Sequence, residues 1–235
     1  MKDFLRRHLK AGSLARWLAV GFYWHPWLFI FAVIKSVIAT KKLTGRYYPV
    51  KVRIGAGQSL KVSVENDASI KIDGIFSVDA WGGSCASSSI VCGTGSAFIT
   101  MGDFQIGPNV HISVSDGAKL SLGGKKYSSG SGVTCDSRIM VERSLDIGYD
   151  CIIAWNVYIT DSDWHNISGV DRCSPVLIGD HVWISHGVSI LKGAVIPSGC
   201  IVGAKSLVAN VFEAEKSLIA GVPAKVIKAQ MEWSR

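Results

Sequence analysis

From residue 178 onward, aliphatic side chains return every six positions: Ile178, Ile184, Ile190, Ile196, Val202 and Val208. A six-residue period fits neither the 3.6 of an amphipathic helix nor the strict alternation of a hairpin strand. It fits short parallel strands with a corner after each, three to a coil, stacked so that successive coils satisfy one another's backbone groups. The fourth residue after each of the first five is again small or apolar (Val182, Val188, Ala194, Cys200, Ser206), and Phe212 ends the pattern. Running backward, the same rule pairs Cys135 with Ile139, Val141 with Leu145, Ile147 with Cys151 and Ile153 with Val157. Gly179-Asp180, Ser198-Gly199 and Gly203-Ala204 supply corners. The expected fold is all-β, a parallel β-helix over residues 49–212. Its first coils are imperfect, and a tail follows over 213–235.

Composition sets the remaining limits. The 235 residues, 48% hydrophobic and 18% charged, suffice for a sizeable core and exclude a disordered chain. The net charge of +7 is unevenly spread: residues 1–53 hold 11 basic side chains and one acidic, and the remainder 14 and 17. The bulk of the chain therefore offers no broad cationic face for a phosphate backbone, and nucleic acid is not expected as a partner.

Residues 1–48 form a basic, aromatic-rich segment. Trp17 to Ile34 is an uncharged run of 18 residues interrupted by His25-Pro26 and flanked on both sides by Lys and Arg. As one helix it would reach about 27 Å, just short of a hydrocarbon core, and Pro26 would break it. The favoured reading is a broken helical pair lying in the inner leaflet, with residues 1–45 on an anionic membrane surface; the alternative is an oligomerisation helix pair. The six Cys contain no C-x-x-C pair, which suggests a reducing compartment, and Cys135, Cys151 and Cys200 fall at inward positions. A cytoplasmic protein, peripheral on the inner face of the membrane, is expected.

The repeat breaks once. Nineteen residues separate Ile159 from Ile178 where one repeat needs six, so residues 160–177 leave the coil with Asp161, Asp163, Trp164, His165, Asp171 and Arg172. Insertions of this kind collect on the binding face of a solenoid. An imidazole titrating near 6.5 on such a loop suits general-base chemistry.

Four stretches carry a resemblance over residues 100–228: Ile153-Ala-Trp-Asn-Val-Tyr-Ile159, Asp161-Ser-Asp-Trp-His165, Pro175-Val-Leu-Ile-Gly-Asp-His-Val-Trp-Ile184 and Ala220-Gly-Val-Pro-Ala-Lys-Val-Ile-Lys228. Together they resemble the hexapeptide-repeat acyltransferases, in the branch holding maltose, galactoside and xenobiotic acetyltransferases and the sugar O-acetyltransferases of surface polysaccharides. The resemblance implies a left-handed β-helix, a homotrimer with active sites between subunits, acetyl-CoA as acyl donor without a metal, and a sugar or glycan acceptor, free or lipid-linked. It puts the general base on His165, oriented by Asp163 or Asp161, with an oxyanion donor near Ser185 or His186. Coenzyme contacts fall on His186, Ala204, Ala209, Asn210, Lys225 and Lys228, and Trp183 either walls the pantetheine channel or packs between subunits. Asn156, Trp164 and Arg172 are the acceptor contacts. Two rival readings are a non-catalytic scaffold, which needs no His165 loop, and a γ-type carbonic anhydrase, which needs three converging His where His181 and His186 supply two.

Overall fold

The computed structural model describes residues 26–80, 85–126 and 130–234. Among these residues one helix, α1 (Pro26–Thr44), precedes twenty-two strands, from β1 (Val52–Ile54) to β22 (Ala224–Lys228). Through β20 (Leu207–Val208) every third strand joins the same sheet, and β21 (Leu218–Gly221) and β22 then extend the sheet of β19 (Ile201–Val202), giving sheets A, B and C of nine, seven and six strands. All pairings are parallel except that of β22. The architecture is a left-handed parallel β-helix.

Both positions of the repeat face inward. Ile178, Ile184, Ile190, Ile196, Val202 and Val208 are buried, and so are Val182, Val188, Ala194, Cys200 and Ser206, each two residues before the next strand's inward aliphatic. The alternation within each short strand turns both toward the axis, so the fourth residue lines the interior rather than the turn. The corner itself lies one residue earlier, at a left-handed position filled by Gly187, Gly193 and Gly199 and, against the usual preference, by His181 and Lys205. At the corner between sheets C and A a second requirement, space, falls on the end of the sheet C strand. A Cβ on Gly123 would lie 2.2 Å from the Gly148 carbonyl carbon, and one on Gly148 would lie 2.6 Å from that of Gly179.

The backward register holds to Val141 and slips there. Ile139 and Val141 are both buried in one strand, so the phase shifts by two and Val133, not Cys135, fills the core. Cys135 sits half-buried at a corner, whereas Cys151 and Cys200 are interior as expected; burial drives the Cys151 thiol up to about 12. Phe76, Phe98 and Phe104 fill the wider early coils, with Phe76 and Phe104 stacked 6.1 Å apart. The column also continues past residue 212: Leu218–Gly221 adds to sheet A beside Ile201–Val202, and Ile219 is fully buried.

Residues 1–25, with the first half of the expected helical pair, lie outside the described residues. The second half is α1, which starts at Pro26, where a missing N–H costs nothing. It packs across the first strand of each sheet, closing the open end of the column. Ser36 Oγ accepts the Ile54 N–H at 2.9 Å and Thr40 Oγ1 accepts the Val52 N–H at 3.0 Å, so the helix satisfies the edge of sheet A. Ala39 and Leu43 join the core. The opposite side of the helix is apolar and bare, with Trp27 75% and Phe31 60% exposed, together with Ile34 and Ile38. Among the described residues no helix is long and apolar enough to cross a membrane.

Candidate active site

Two corners flank sheet B, and the predicted residues divide between them. The loop expected over 160–177 leaves the corner between sheets B and C over 161–175, because Thr160 belongs to the strand Tyr158–Thr160 and Val176 and Leu177 to Val176–Ile178. Its base is closed in antiparallel fashion: the Asp163 N–H donates to Arg172 O at 3.0 Å and the Ser174 N–H to Asp161 O at 2.9 Å, and Ser162 bridges Cys173. Side chains fasten it further. The Glu142 carboxylate takes the Ser162 hydroxyl and the Arg172 guanidinium, and the Asp163 carboxylate takes the Lys192 ammonium, which also donates to Asp171 O. Trp164 Nε1 donates to Thr160 Oγ1 at 3.1 Å.

Asp161 is fully buried and accepts three backbone N–H groups, from Glu142, Arg143 and Ser144, each at 2.7 Å. Burial pushes its carboxyl up from the usual range while those donors pull it down. Both oxygens are committed to holding the 142–144 turn, so Asp161 does not orient the imidazole. Asp163 is likewise turned to Lys192, and the exposed Arg172 is paired with Glu142. These corrections have one cause: a loop thrown from a narrow corner must satisfy its own backbone, and its first polar side chains do that. His165 stands beyond this base. It is exposed, on the way to the Ile167–Val170 turn, and its imidazole has no hydrogen-bond partner among the described residues.

In the coils of Trp155, His186 and Ala204 the corner between sheets A and B has no insertion. Trp155, His186 and Ala204 each stand two residues after an inward aliphatic, so they stack one above another on successive coils. The rings of Trp155 and His186 lie 5.3 Å apart at 13°. The ladder uses the Gly187 and Lys205 N–H groups, which donate to Trp155 O and His186 O. The Ser185 N–H is spent on Val202 O at 3.0 Å, which removes it as an oxyanion donor, whereas the His186 N–H has no partner among the described residues. Asn156 occupies the left-handed position of this corner, exposed beside Trp155.

Trp183 meets the C-terminal segment, its ring 6.0 Å from that of Trp233. His181 stacks on the same Trp233 at 4.1 Å and exchanges hydrogen bonds with its backbone and indole. Among the described residues no three His, Cys, Asp or Glu side chains converge on a metal position. Ala209 and Asn210 are exposed at the B–C corner, and Lys225 and Lys228 are exposed on the antiparallel edge strand β22. Sequence reasoning missed Trp155, Glu142 and Lys192. The signal for Trp155 was present in the period, since it holds the same place after Ile153 that His186 holds after Ile184.

One chain does not close these parts into a single site. Equivalent positions of the two corners, such as His186 and Lys192, are one six-residue repeat apart, a face of the prism up to about 20 Å wide.

With that geometry in place, the class is a hexapeptide-repeat, left-handed β-helix protein. One crystallographic neighbour is the polysialic acid O-acetyltransferase OatWY, with a TM-score of 0.56 and 23% identity, covering 76% of this chain and 90% of that one. WbbJ of Escherichia coli (strain K12), named for O-acetyl transfer in lipopolysaccharide biosynthesis, is 37% identical over 36% of this chain and 50% of its own. A Neisseria meningitidis polysialic acid O-acetyltransferase is 33% identical over 39% of this chain and 45% of its own. No family model matches. The chain thus spans half or less of the length of these two relatives. Its resemblance to hexapeptide-repeat sugar O-acetyltransferases, read from four motifs, is borne out.

Proposed function

We propose that this protein is an acetyl-CoA-dependent O-acetyltransferase acting on a sugar hydroxyl of a bacterial surface polysaccharide or its lipid-linked precursor. The observation that carries the reading is the pairing of a firmly based loop with an unpartnered imidazole at its end. Among the described residues the His165 imidazole has no hydrogen-bond partner, while Asp161, Ser162, Asp163 and Arg172 at the base of the loop are all committed.

In this reading the His165 imidazole takes the proton of the acceptor hydroxyl as its oxygen attacks the acetyl carbonyl, a role that contributes typically 10²- to 10⁴-fold. The Trp155–His186–Ala204 ladder holds the pantetheine arm, and the His186 N–H is the oxyanion donor. Lys225 and Lys228 meet the coenzyme phosphates. Because the loop and the ladder stand on opposite edges of sheet B, the working site needs a second copy to bring one chain's loop against its neighbour's ladder, as in a homotrimer. Thermal unfolding and gel filtration locate that assembly. Mass spectrometry of oligosaccharides and lipid-linked intermediates incubated with acetyl-CoA tests the activity: a gain of about 42 Da supports it.

The bare side of α1 supports a peripheral attachment to the cytoplasmic membrane. Trp27, Phe31, Ile34 and Ile38 follow one helical stripe, and Lys41, Lys42 and Arg46 come next in the chain. A tethered enzyme and a lipid-linked acceptor would meet at raised effective concentration. Flotation of the intact protein with anionic vesicles, lost in Trp27→Ser/Phe31→Ser, is the expected result.

A further inference from the structure

The early coils carry a polar relay that the acyl-transfer reading does not use. At the A–B edge of sheet B, Ser89 Oγ lies 2.8 Å from His111 Nδ1, His111 Nε2 lies 2.9 Å from Asn109 Oδ1, and Asn109 Nδ2 donates to Asp136 Oδ1 at 2.9 Å. The direction of every bond follows from one end. Asp136 is held ionised by the Asn109 amide and so must accept. The Asn109 amide therefore turns its NH₂ to Asp136 and its carbonyl oxygen to His111. A carbonyl accepts only, so Nε2 carries the ring proton, and a neutral imidazole then leaves Nδ1 bare to accept from the Ser89 hydroxyl.

The imidazole is also held neutral, lowered first by burial and then by the Arg138 and Lys61 charges. Both cations come from the same row of the sheet: Lys61 pairs with Ser89, Ser89 with His111, and His111 with Arg138. Ser89 and His111 are half-buried on the outer face. Asn109 and Asp136 occupy left-handed corner positions, at φ 56° and 50°, which fix the far end of the relay to the backbone.

We propose that Ser89 is an activated nucleophile and that this row is an esterase-type site for small carboxylic esters or thioesters. Ser89 Oγ forms the bond to the acyl carbon as its proton passes to His111 Nδ1. The C–O or C–S bond then breaks, and the leaving alcohol or thiol takes that proton. Water repeats the two transfers in reverse order, releasing the carboxylic acid and restoring the serine. Lys61, the in-register neighbour of Ser89, faces the developing oxyanion with a positive charge. Asn109 and Asp136 are positioning residues. His111 stands three coils from His186 along the same corner, about 14 Å at the usual strand spacing, and Ser89 stands one coil farther.

The test uses the full chain with a fluorophosphonate probe and with p-nitrophenyl acetate, followed by peptide mapping. The adduct is expected on Ser89. It should be absent in Ser89→Ala and form about a hundredfold more slowly in His111→Ala. Asn109→Asp keeps an acceptor and adds a negative charge, so labelling should persist with its acid limb moved to higher pH, a shift that a purely structural role would not produce. His165→Ala should label at the unmodified rate, which separates this site from the acetyltransferase reading. An absence of adduct on Ser89, equal labelling in a folded His111→Ala, or an unmoved pH profile in Asn109→Asp overturns the proposal.

Discussion

The two corners that flank sheet B are built from the same repeat and do opposite things. At the B–C corner the chain leaves the coil and spends Asp161, Asp163, Glu142, Arg172 and Lys192 on anchoring the excursion, which carries the His165 imidazole out beyond its base. At the A–B corner of the later coils the chain stays in the repeat, and Trp155, His186 and Ala204 form a continuous outward rail whose spacing is that of the strands beneath it. An insertion yields reach and an uninterrupted repeat yields registry. In the proposed reaction, transferring an acetyl group to a bulky glycan needs both: a rail for the long donor and a projecting base for the acceptor.

Removing the imidazole gives the sharpest separation. His165→Ala should lower kcat at least about a hundredfold, equivalent to about 2.7 kcal/mol of transition-state stabilisation, without changing the melting temperature. The converse outcome is expected of Asp161→Ala, which leaves three backbone N–H groups without their acceptor. It should cost about 2–3 kcal/mol of stability, read as a fall in Tm, and it lowers activity only by loosening the loop. On the rail, Trp155→Ala should raise the KM for acetyl-CoA about tenfold with kcat little changed, because it removes a binding surface shared by ground and transition states. Arg172→Ala should do least. Its ion pair with Glu142 is partly open to solvent, so a loss under about 1 kcal/mol is expected in denaturant unfolding.

Legibility followed regularity. Ile178 to Val208 could be read because each inward side chain recurs without interruption, and the break after Ile159 exposed the loop for the same reason. The slip between Ile139 and Val141 could not be read, since a strand of four buries two aliphatics and shifts the phase without leaving any mark in composition. Within the loop, sequence proximity alone makes the acidic residues candidate partners of His165. The structure gives Asp161 to the backbone and Asp163 to Lys192, a choice set by which groups would otherwise be buried unpaired. Trp155 went unnoticed as a rail residue because its importance depends on what stacks above it. The capping role of α1 was hidden for a similar reason: Ser36 and Thr40 look like minor interruptions of an apolar run until the edge strand they satisfy is known.

Subunit complementation tests the sharing of the site most directly. His165→Ala removes the base, and Ala204→Trp blocks the rail; each variant alone should be inactive in acetyl transfer. If one chain's loop works on its neighbour's rail, unfolding the two together and refolding them as mixed assemblies should restore a measurable share of the activity, through interfaces that carry both intact parts. Mixed assemblies that form but remain as inactive as either parent would contradict it.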